Sequence, residues 1–259
     1  MVRTLVELVI APLLAAAATL AARRWGPRAG GVVSAFPAIV GPVLLIDALE
    51  HGASFAAHAA ATTVLGLVAL SAFALGYSRS AGRRGWRASL AAGWVCAALA
   101  SLTAGLVAGG WGAPAGLLTA TISLLLAHRA LPSSPRTPPA RLAGRYEIPT
   151  RMATTALLVS ALAAAAGALG ALVGGMLAAL PILASVLSVF THGEQDGAAA
   201  VALLRGTLAG MAGFVVFCEL VALLIVPYGV APAFVAATLT AVAAQALAIR
   251  VPGVLAPAR

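Results

Sequence analysis

The sequence predicts an all-α integral membrane protein with about nine transmembrane helices in a 4+1+4 inverted-topology repeat. The 259 residues are 62% hydrophobic and 9% charged, which is too little charge to cover the surface of a soluble domain of this length. Apolar runs of about 18 or more residues, each able to cross roughly 30 Å of hydrocarbon, recur along the chain and show no period of two. A segment near residue 30 also recurs near residue 174.

We predict nine spans, each a run of apolar residues. They lie at residues 4–22, 30–49, 54–77, 88–108, 112–130, 152–171, 173–191, 200–227 and 231–249. The first run follows Arg3 and has the composition of a signal peptide, which is the alternative interpretation. Because Arg23 and Arg24 follow it immediately and no soluble region comes after them, we interpret this run as the first span.

The arginines orient these spans. The chain has no lysine, and 14 of its 16 arginines follow spans one, three, five or nine, whereas the loops near residues 50–53, 109–111, 171–172 and 228–230 contain none. Cytoplasmic loops carry the excess of basic residues. We therefore expect a bacterial inner-membrane protein with its N-terminus outside and its C-terminus in the cytoplasm. Because the arginines are spread over four loops, we expect no nucleic acid partner.

The recurring segment predicts a duplication. Residues 30–37, Gly-Gly-Val-Val-Ser-Ala-Phe-Pro, correspond to residues 174–181, Gly-Gly-Met-Leu-Ala-Ala-Leu-Pro, and at the same offset of 144 residues Glu50 corresponds to Glu194. With an unpaired fifth span between them, the two copies cross the membrane in opposite directions, as in secondary transporters. The predicted units are a first four-helix repeat (1–110), a fifth transmembrane helix (111–130), a cytoplasmic linker rich in proline and arginine (131–150) and a second, inverted four-helix repeat (151–259).

A family resemblance rests on the second copy of this segment. Gly-Ala-Leu-Val-Gly-Gly-Met-Leu-Ala-Ala-Leu-Pro at residues 170–181 is followed by a short acidic turn and a long apolar helix ending near Pro227, and the first half has the same order around Gly30, Pro37 and Glu50. Each half thereby resembles the GlpM-like family of small four-helix bacterial membrane proteins. The resemblance implies the four-helix unit, present here twice with a fifth span between the copies, and it implies no particular substrate.

Three prolines lie inside predicted spans two and seven. Pro37, Pro42 and Pro181 each remove a backbone donor and free carbonyl groups, and such groups bind solutes where they line a cavity. We expect helix kinks at these positions around a central site. The alternative is that they are ordinary kinks of membrane helices.

Glu219 lies near the middle of predicted span eight. A charged carboxylate at that depth costs about 2.5–3.5 kcal/mol on insertion scales, so it requires a cavity, a partner or a proton. We expect Glu219 to carry protons along the transport pathway. The alternative is a protonated glutamate that is hydrogen-bonded to a neighbouring helix.

Further polar residues cluster at helix ends. Asp47, Glu50 and His51 share one face of span two, and Glu7 lies at a similar depth on span one. They predict an acidic vestibule that attracts cations or passes protons, although solvated helix ends produce the same pattern. Arg205 is expected at the cytoplasmic interface, where it extends its guanidinium group to water; the alternative is an anion-binding or gating role facing the turn at residues 194–196.

The sequence favours a secondary transporter of a small solute, with protons as the coupling ion. No nucleophile–base pair, metal-ligand spacing or cofactor motif stands out, so we predict no enzyme, no catalytic residue, no metal and no cofactor. The expected partners are the lipid bilayer, the solute and protons, and the sequence leaves a homodimer open. The alternative function is that of a non-transporting membrane accessory protein that supports a biosynthetic or export complex.

Overall fold

The computed structural model describes residues 2–107, 113–132, 146–168 and 181–250, and within these ranges all regular secondary structure is helical. The helices are α1 (Val2–Trp25), α2 (Pro27–Ser34), α3 (Val40–His51), α4 (Ala53–Thr63), α5 (Gly66–Ala81), α6 (Trp86–Val107), α7 (Ala113–Ala130), α8 (Glu147–Ala168), α9 (Ile182–Glu194), α10 (Gly197–Tyr228) and α11 (Val230–Arg250). The predicted all-helical fold is therefore confirmed.

Five helical segments are long and apolar enough to cross a membrane. They are Leu8–Trp25, Ala53–Ala81, Trp86–Leu106, Gly197–Tyr228 and Val230–Leu247, and the segments Ala115–Ala130 and Ile182–Glu194 are apolar but shorter. These segments confirm the prediction of a helical membrane protein. The count of nine spans stays a prediction.

Predicted span two, at residues 30–49, is two helices instead of one. Helix α2 ends at Ser34, α3 begins at Val40, and turns connect them. Pro37 lies in this break. Pro42 is in the first turn of α3, where a missing backbone donor breaks no intrahelical hydrogen bond, so it produces no kink, contrary to the expectation from sequence.

Two boundaries in the second half also differ from the prediction. Helix α8 begins at Glu147, so the end of the linker predicted at 131–150 is helical. Pro181 immediately precedes α9, and the first part of predicted span seven, residues 173–180, lies outside the described residues. The structure describes only the helix that follows Pro181, so the kink expected there stays a prediction.

Several helix ends meet on one side of the molecule, which we call the arginine-rich face. Arg23 near the end of α1 bonds Glu147 at the start of α8, and Arg151 in the next turn of α8 bonds Glu194 at the end of α9. The start of α10 lies against Ala81 at the end of α5. These contacts bring together helix ends that the arginine pattern assigns to the same side of the membrane.

Helix α10 is central to the packing. It contacts α2, α4, α9 and α11, while α1 packs on α2 and α8, and α5 packs on α6. Helices α2 and α10 approach so closely that a side chain at Gly31 would lie 2.7 Å from the backbone nitrogen of Thr207, and one at Gly210 would lie 2.7 Å from Cβ of Ala35. Small residues allow such contacts between membrane helices. This packing joins the two halves of the chain.

Candidate functional site

A cavity of about 680 Å³ lies between the two halves of the chain. The break that contains Pro37 and the helix start that follows Pro181 both reach it, since these two prolines are among the residues that line it. Apolar side chains form most of the described wall, including the rings of Phe36, Phe55 and Phe214. Its size is within the range of about 300–1,000 Å³ that is usual for small-molecule sites.

Hydroxyl groups supply most of the polar lining that the structure describes. They belong to Ser34, Thr62, Thr63, Thr155 and Thr207. Each of these hydroxyls donates to a backbone carbonyl of its own helix, for example Ser34 Oγ to the oxygen of Gly31 at 2.7 Å and Thr63 Oγ1 to that of Ala59 at 2.7 Å. Because the hydroxyl hydrogen is already used, the group offers its oxygen lone pairs to a ligand. The lining therefore favours a solute with a hydrogen-bond donor.

Asp47 is the acidic residue among the described lining residues. It lies on α3 and is 5% exposed. Glu50 and His51 are on the same helix but are exposed, and the ring of His51 packs on Phe55 with a centroid distance of 4.7 Å. The expected vestibule residues therefore separate, since Asp47 lines the cavity and the other two lie at the helix end. Glu7 is on α1, and its side chain lies outside the described residues.

Glu219 does not join Asp47 in the described wall of the cavity. It is half-buried on α10, on the helix face that also carries Ala212, Leu223 and Val226, the positions one or two turns away. Leu223 is 65% exposed and Val226 is 58% exposed. Glu219 therefore lies on a side of α10 that faces away from the described cavity wall, and its role in proton transfer stays a prediction.

Arg205 binds backbone carbonyl groups. Its Nη1 donates to the oxygens of Leu131 at 2.6 Å and Pro132 at 2.8 Å, which follow the end of α7. The guanidinium group thus donates to two carbonyls just beyond the C-terminal end of α7, where a basic side chain is favourable. Its described hydrogen bonds do not involve the turn at residues 194–196, so the gating alternative for Arg205 has no support in this geometry.

An ion-pair cluster joins α1, α8 and α9 on the arginine-rich face. Nη2 of Arg151 lies 2.7 Å from Oε1 of Glu147 and 2.6 Å from Oε2 of Glu194, while Arg23 binds the second oxygen of Glu147, with Nε at 3.0 Å. The side chains of Arg151 and Glu147 are 3% and 4% exposed, whereas those of Arg23 and Glu194 are 30% and 33% exposed. We call these four residues the ion-pair cluster.

Sequence reasoning missed this cluster because it assigned residue 147 to the linker and counted Arg151 only as a basic loop residue. The spacing of Glu147 and Arg151, four residues apart, is the signal that could have placed both on one helix face. Glu194 lies beyond predicted span seven. Burial raises the pKa of its carboxyl group, and the attraction of Arg151 opposes that shift; Glu147 raises the pKa further.

Comparison with known proteins identifies no relative. No family model, no curated protein and no solved structure matches this chain. The resemblance to the GlpM-like family stays a prediction.

Proposed function

We propose that this chain is a secondary transporter of a small, largely apolar solute and that the cavity is its solute site. The observation that carries the proposal is the convergence of Pro37 and Pro181 on one cavity. These prolines occupy equivalent positions in the two predicted repeats. Transporters with inverted repeats bind their solute where broken helices from the two repeats meet.

The helix boundaries support the duplication that this proposal requires. When the helices of the first half are shifted by 144 residues, α3 and the α4–α5 pair begin and end within a few residues of α9 and α10, α6 begins where α11 begins, and α1 coincides with α8 over the residues that the structure describes. The break between α2 and α3 then corresponds to the start of α9 at Pro181. In the proposed topology the second copy is inverted, and the arginine-rich face is cytoplasmic in a bacterial inner membrane.

The lining chemistry supports a solute with an apolar body and a polar donor group. The aromatic and aliphatic walls favour apolar surface, and the hydroxyl oxygens accept hydrogen bonds. Asp47 is the acidic residue that a solute or a proton would meet there. We therefore assign proton coupling to Asp47 in preference to Glu219, which the sequence alone favoured.

Access to the cavity tests the proposal without knowledge of the solute. Cys96 and Cys218 are first replaced by serine and alanine, and reporter cysteines are placed at Phe55, Thr63 or Thr155, all in the described lining. We expect a membrane-impermeant maleimide to label the reporters. Reporters that react from neither side of the membrane would show a sealed interior and contradict a transport site.

Coupling is then tested in proteoliposomes that contain a pH-sensitive dye. A panel of small amines, alcohols and carboxylic acids is added, and solute-driven proton movement is recorded. We expect Asp47→Asn to abolish this signal and Glu219→Gln, the matched control on α10, to retain it. Equal loss in both variants, or loss only with Glu219→Gln, would contradict the assignment to Asp47.

The position of Glu219 favours the alternative function, a membrane accessory protein. A carboxyl group on the outward-facing side of α10, next to exposed Leu223 and Val226, suits a neighbouring helix that covers it. Glu219→Cys in the cysteine-free background tests this by cross-linking. A disulfide-linked homodimer, or a fixed partner that co-purifies while the cavity reporters stay unreactive, would favour the accessory function.

A further inference from the structure

We infer that the ion-pair cluster is the gate that closes the transport cavity on the arginine-rich face. This inference rests on the proposed function, because a gate requires a cavity that opens alternately to two sides. It assigns a role to Arg23, Glu147, Arg151 and Glu194 that the solute site itself leaves unexplained.

The cavity lies away from the arginine-rich face. On α3 its lining includes Asp47, about one turn from His51 at the helix end. On α8 the described lining residue nearest the arginine-rich face is Thr155, about 12 Å along the helix from Glu147 at a rise of 1.5 Å per residue. The lining on α9 and α10 stops at a similar distance from this face. The buried residues Ala15, Ala18, Leu187 and Leu203 lie between these lining residues and the helix ends and pack together, so packed side chains separate the cavity from the arginine-rich face.

The ion-pair cluster occupies part of that space on the helices that also line the cavity. Helices α1, α8 and α9 each contribute lining residues and then, closer to the arginine-rich face, members of the cluster. Thr155 connects the two, since it lines the cavity and its Oγ1 donates to the backbone oxygen of Arg151 at 2.8 Å. The guanidinium group of Arg151 also lies over the ring of Phe190, 5.4 Å from its centroid. The cluster thus lies between the described cavity wall and this face.

Charged groups suit a junction that must separate. A buried ion pair is weak evidence for stability, because well-packed apolar residues often stabilise a fold as well or better. Charges can, however, be hydrated when helices part, whereas exposed apolar surface cannot. Arg23 and Glu194 at the two ends of the cluster are already partly exposed, and Nε of Arg151 is buried without a hydrogen bond. The cluster therefore has bonds that water can replace as it opens.

The predicted repeat places a matching set of charges on the opposite side. At the offset of 144 residues Glu147, Arg151 and Glu194 correspond to Arg3, Glu7 and Glu50. The pair of an acidic and a basic residue, Glu147 and Arg151, thus corresponds to a pair in the reverse order, the basic Arg3 and the acidic Glu7. The side chains of Arg3 and Glu7 lie outside the described residues, and the correspondence is one of sequence position on α1. An inverted repeat with a charged gate on one side is expected to carry its counterpart on the other.

The test uses the Thr63→Cys reporter in the cysteine-free background, in right-side-out and inverted membrane vesicles. Before gate mutations, we expect the maleimide to label the reporter from the side opposite the arginine-rich face. Glu194→Gln removes one of the two carboxylates that bind Arg151, and we expect it to raise the labelling rate from the arginine-rich side at least about tenfold. Arg23→Gln, at the partly exposed end of the cluster, should raise it less.

The matched control is Asp196→Asn. Asp196 lies two residues from Glu194, and its carboxylate accepts a hydrogen bond from the backbone nitrogen of Ala199 at 2.7 Å, as the N-cap of α10. The amide oxygen of asparagine retains that cap, so the control removes a nearby negative charge without touching Arg151. We expect its labelling to equal that of the parent.

The outcomes separate the two proposals. If the reporter reacts from the opposite side but both gate variants, folded as judged by their melting temperature, behave like Asp196→Asn, the gate is overturned and the transport site stands. If Asp196→Asn raises labelling from the arginine-rich side as much as Glu194→Gln does, labelling responds to the loss of any negative charge near this face. The gate is then also overturned. If the parent reporter reacts from neither side, the proposed function fails, and the gate fails with it.

Discussion

The contact between α2 and α10 gives the sharpest prediction on stability, and Gly210→Ala is the change that tests it. A methyl group at this buried position would lie 2.7 Å from Cβ of Ala35 and 2.8 Å from the backbone oxygen of Val32. Carbon atoms in favourable contact are about 3.5–4.0 Å apart, so the two helices would have to separate by about 1 Å.

The cost follows from two opposing effects. Overfilling a packed interface costs about 1–3 kcal/mol, while alanine in place of glycine inside a helix returns up to about 1 kcal/mol. We therefore expect a net loss of about 1–2 kcal/mol in the free energy of unfolding. The separation would also widen the contact between the hydroxyl oxygens of Ser34 and Thr207, which are 3.3 Å apart and both line the cavity.

Unfolding of the purified protein by sodium dodecyl sulfate in mixed micelles measures this loss. The control is Gly105→Ala on the exposed side of α6, where no described atom lies within 4 Å of the added carbon and the change is expected to be neutral or slightly stabilising. If Gly210→Ala is as stable as Gly105→Ala, the described approach of α2 to α10 is refuted.

Three further predictions use the same assays. Pro37→Ala restores a backbone donor in the break between α2 and α3 and should slow labelling of the cavity reporters, whereas unchanged rates would show that the break does not depend on this proline. Gln245→Leu removes the side-chain donor to the oxygen of Val32, which keeps the hydrogen bond from the backbone nitrogen of Ala35, and should cost about 0.5–1.5 kcal/mol in detergent unfolding; no loss would contradict that bond. Because burial raises the pKa of Glu194, its carboxylate gains a proton at a higher pH than an exposed glutamate. The rate of labelling from the arginine-rich side, divided by the rate from the opposite side at the same pH to cancel the titration of the thiol, should therefore increase as the pH falls, and Glu194→Gln should remove this dependence of the ratio.

The proposed mechanism depends on how the two halves share one cavity. Pro37 comes from the first half and Pro181 from the second, and both reach the same space. On the arginine-rich face Arg23 of the first half binds Glu147 of the second. In the proposed mechanism, dissociation of the cluster lets α1 and α8 separate at that end, and a solute held near Asp47 would gain a path to the arginine-rich face. In this mechanism the charged groups exchange their ion pairs for contacts with water each time the cavity opens on this face.

Much of the architecture follows from composition and spacing. Apolar runs of sufficient length predict membrane helices because the bilayer offers no partner for an unpaired backbone group. For the same reason the helix boundaries of α6 and α11 lie within a few residues of spans four and nine as predicted. The arginine pattern assigned helix ends to sides, and contacts such as that of Arg151 with Glu194 join ends that it placed together.

The tertiary structure decided which polar residues share a site. Sequence position placed Glu219 near the middle of a span, but its distance from the cavity depends on how α10 is rotated against its neighbours, and rotation is set by packing at positions such as Gly210. Asp47, by contrast, was predicted to share an acidic vestibule with Glu50 and His51, and it lines the cavity without them. The ion-pair cluster depended on contacts between Arg23 and Glu147, which are 124 residues apart. Hydrophobicity along one helix determines that it crosses the membrane, whereas the meeting of side chains from different helices is determined only when those helices pack.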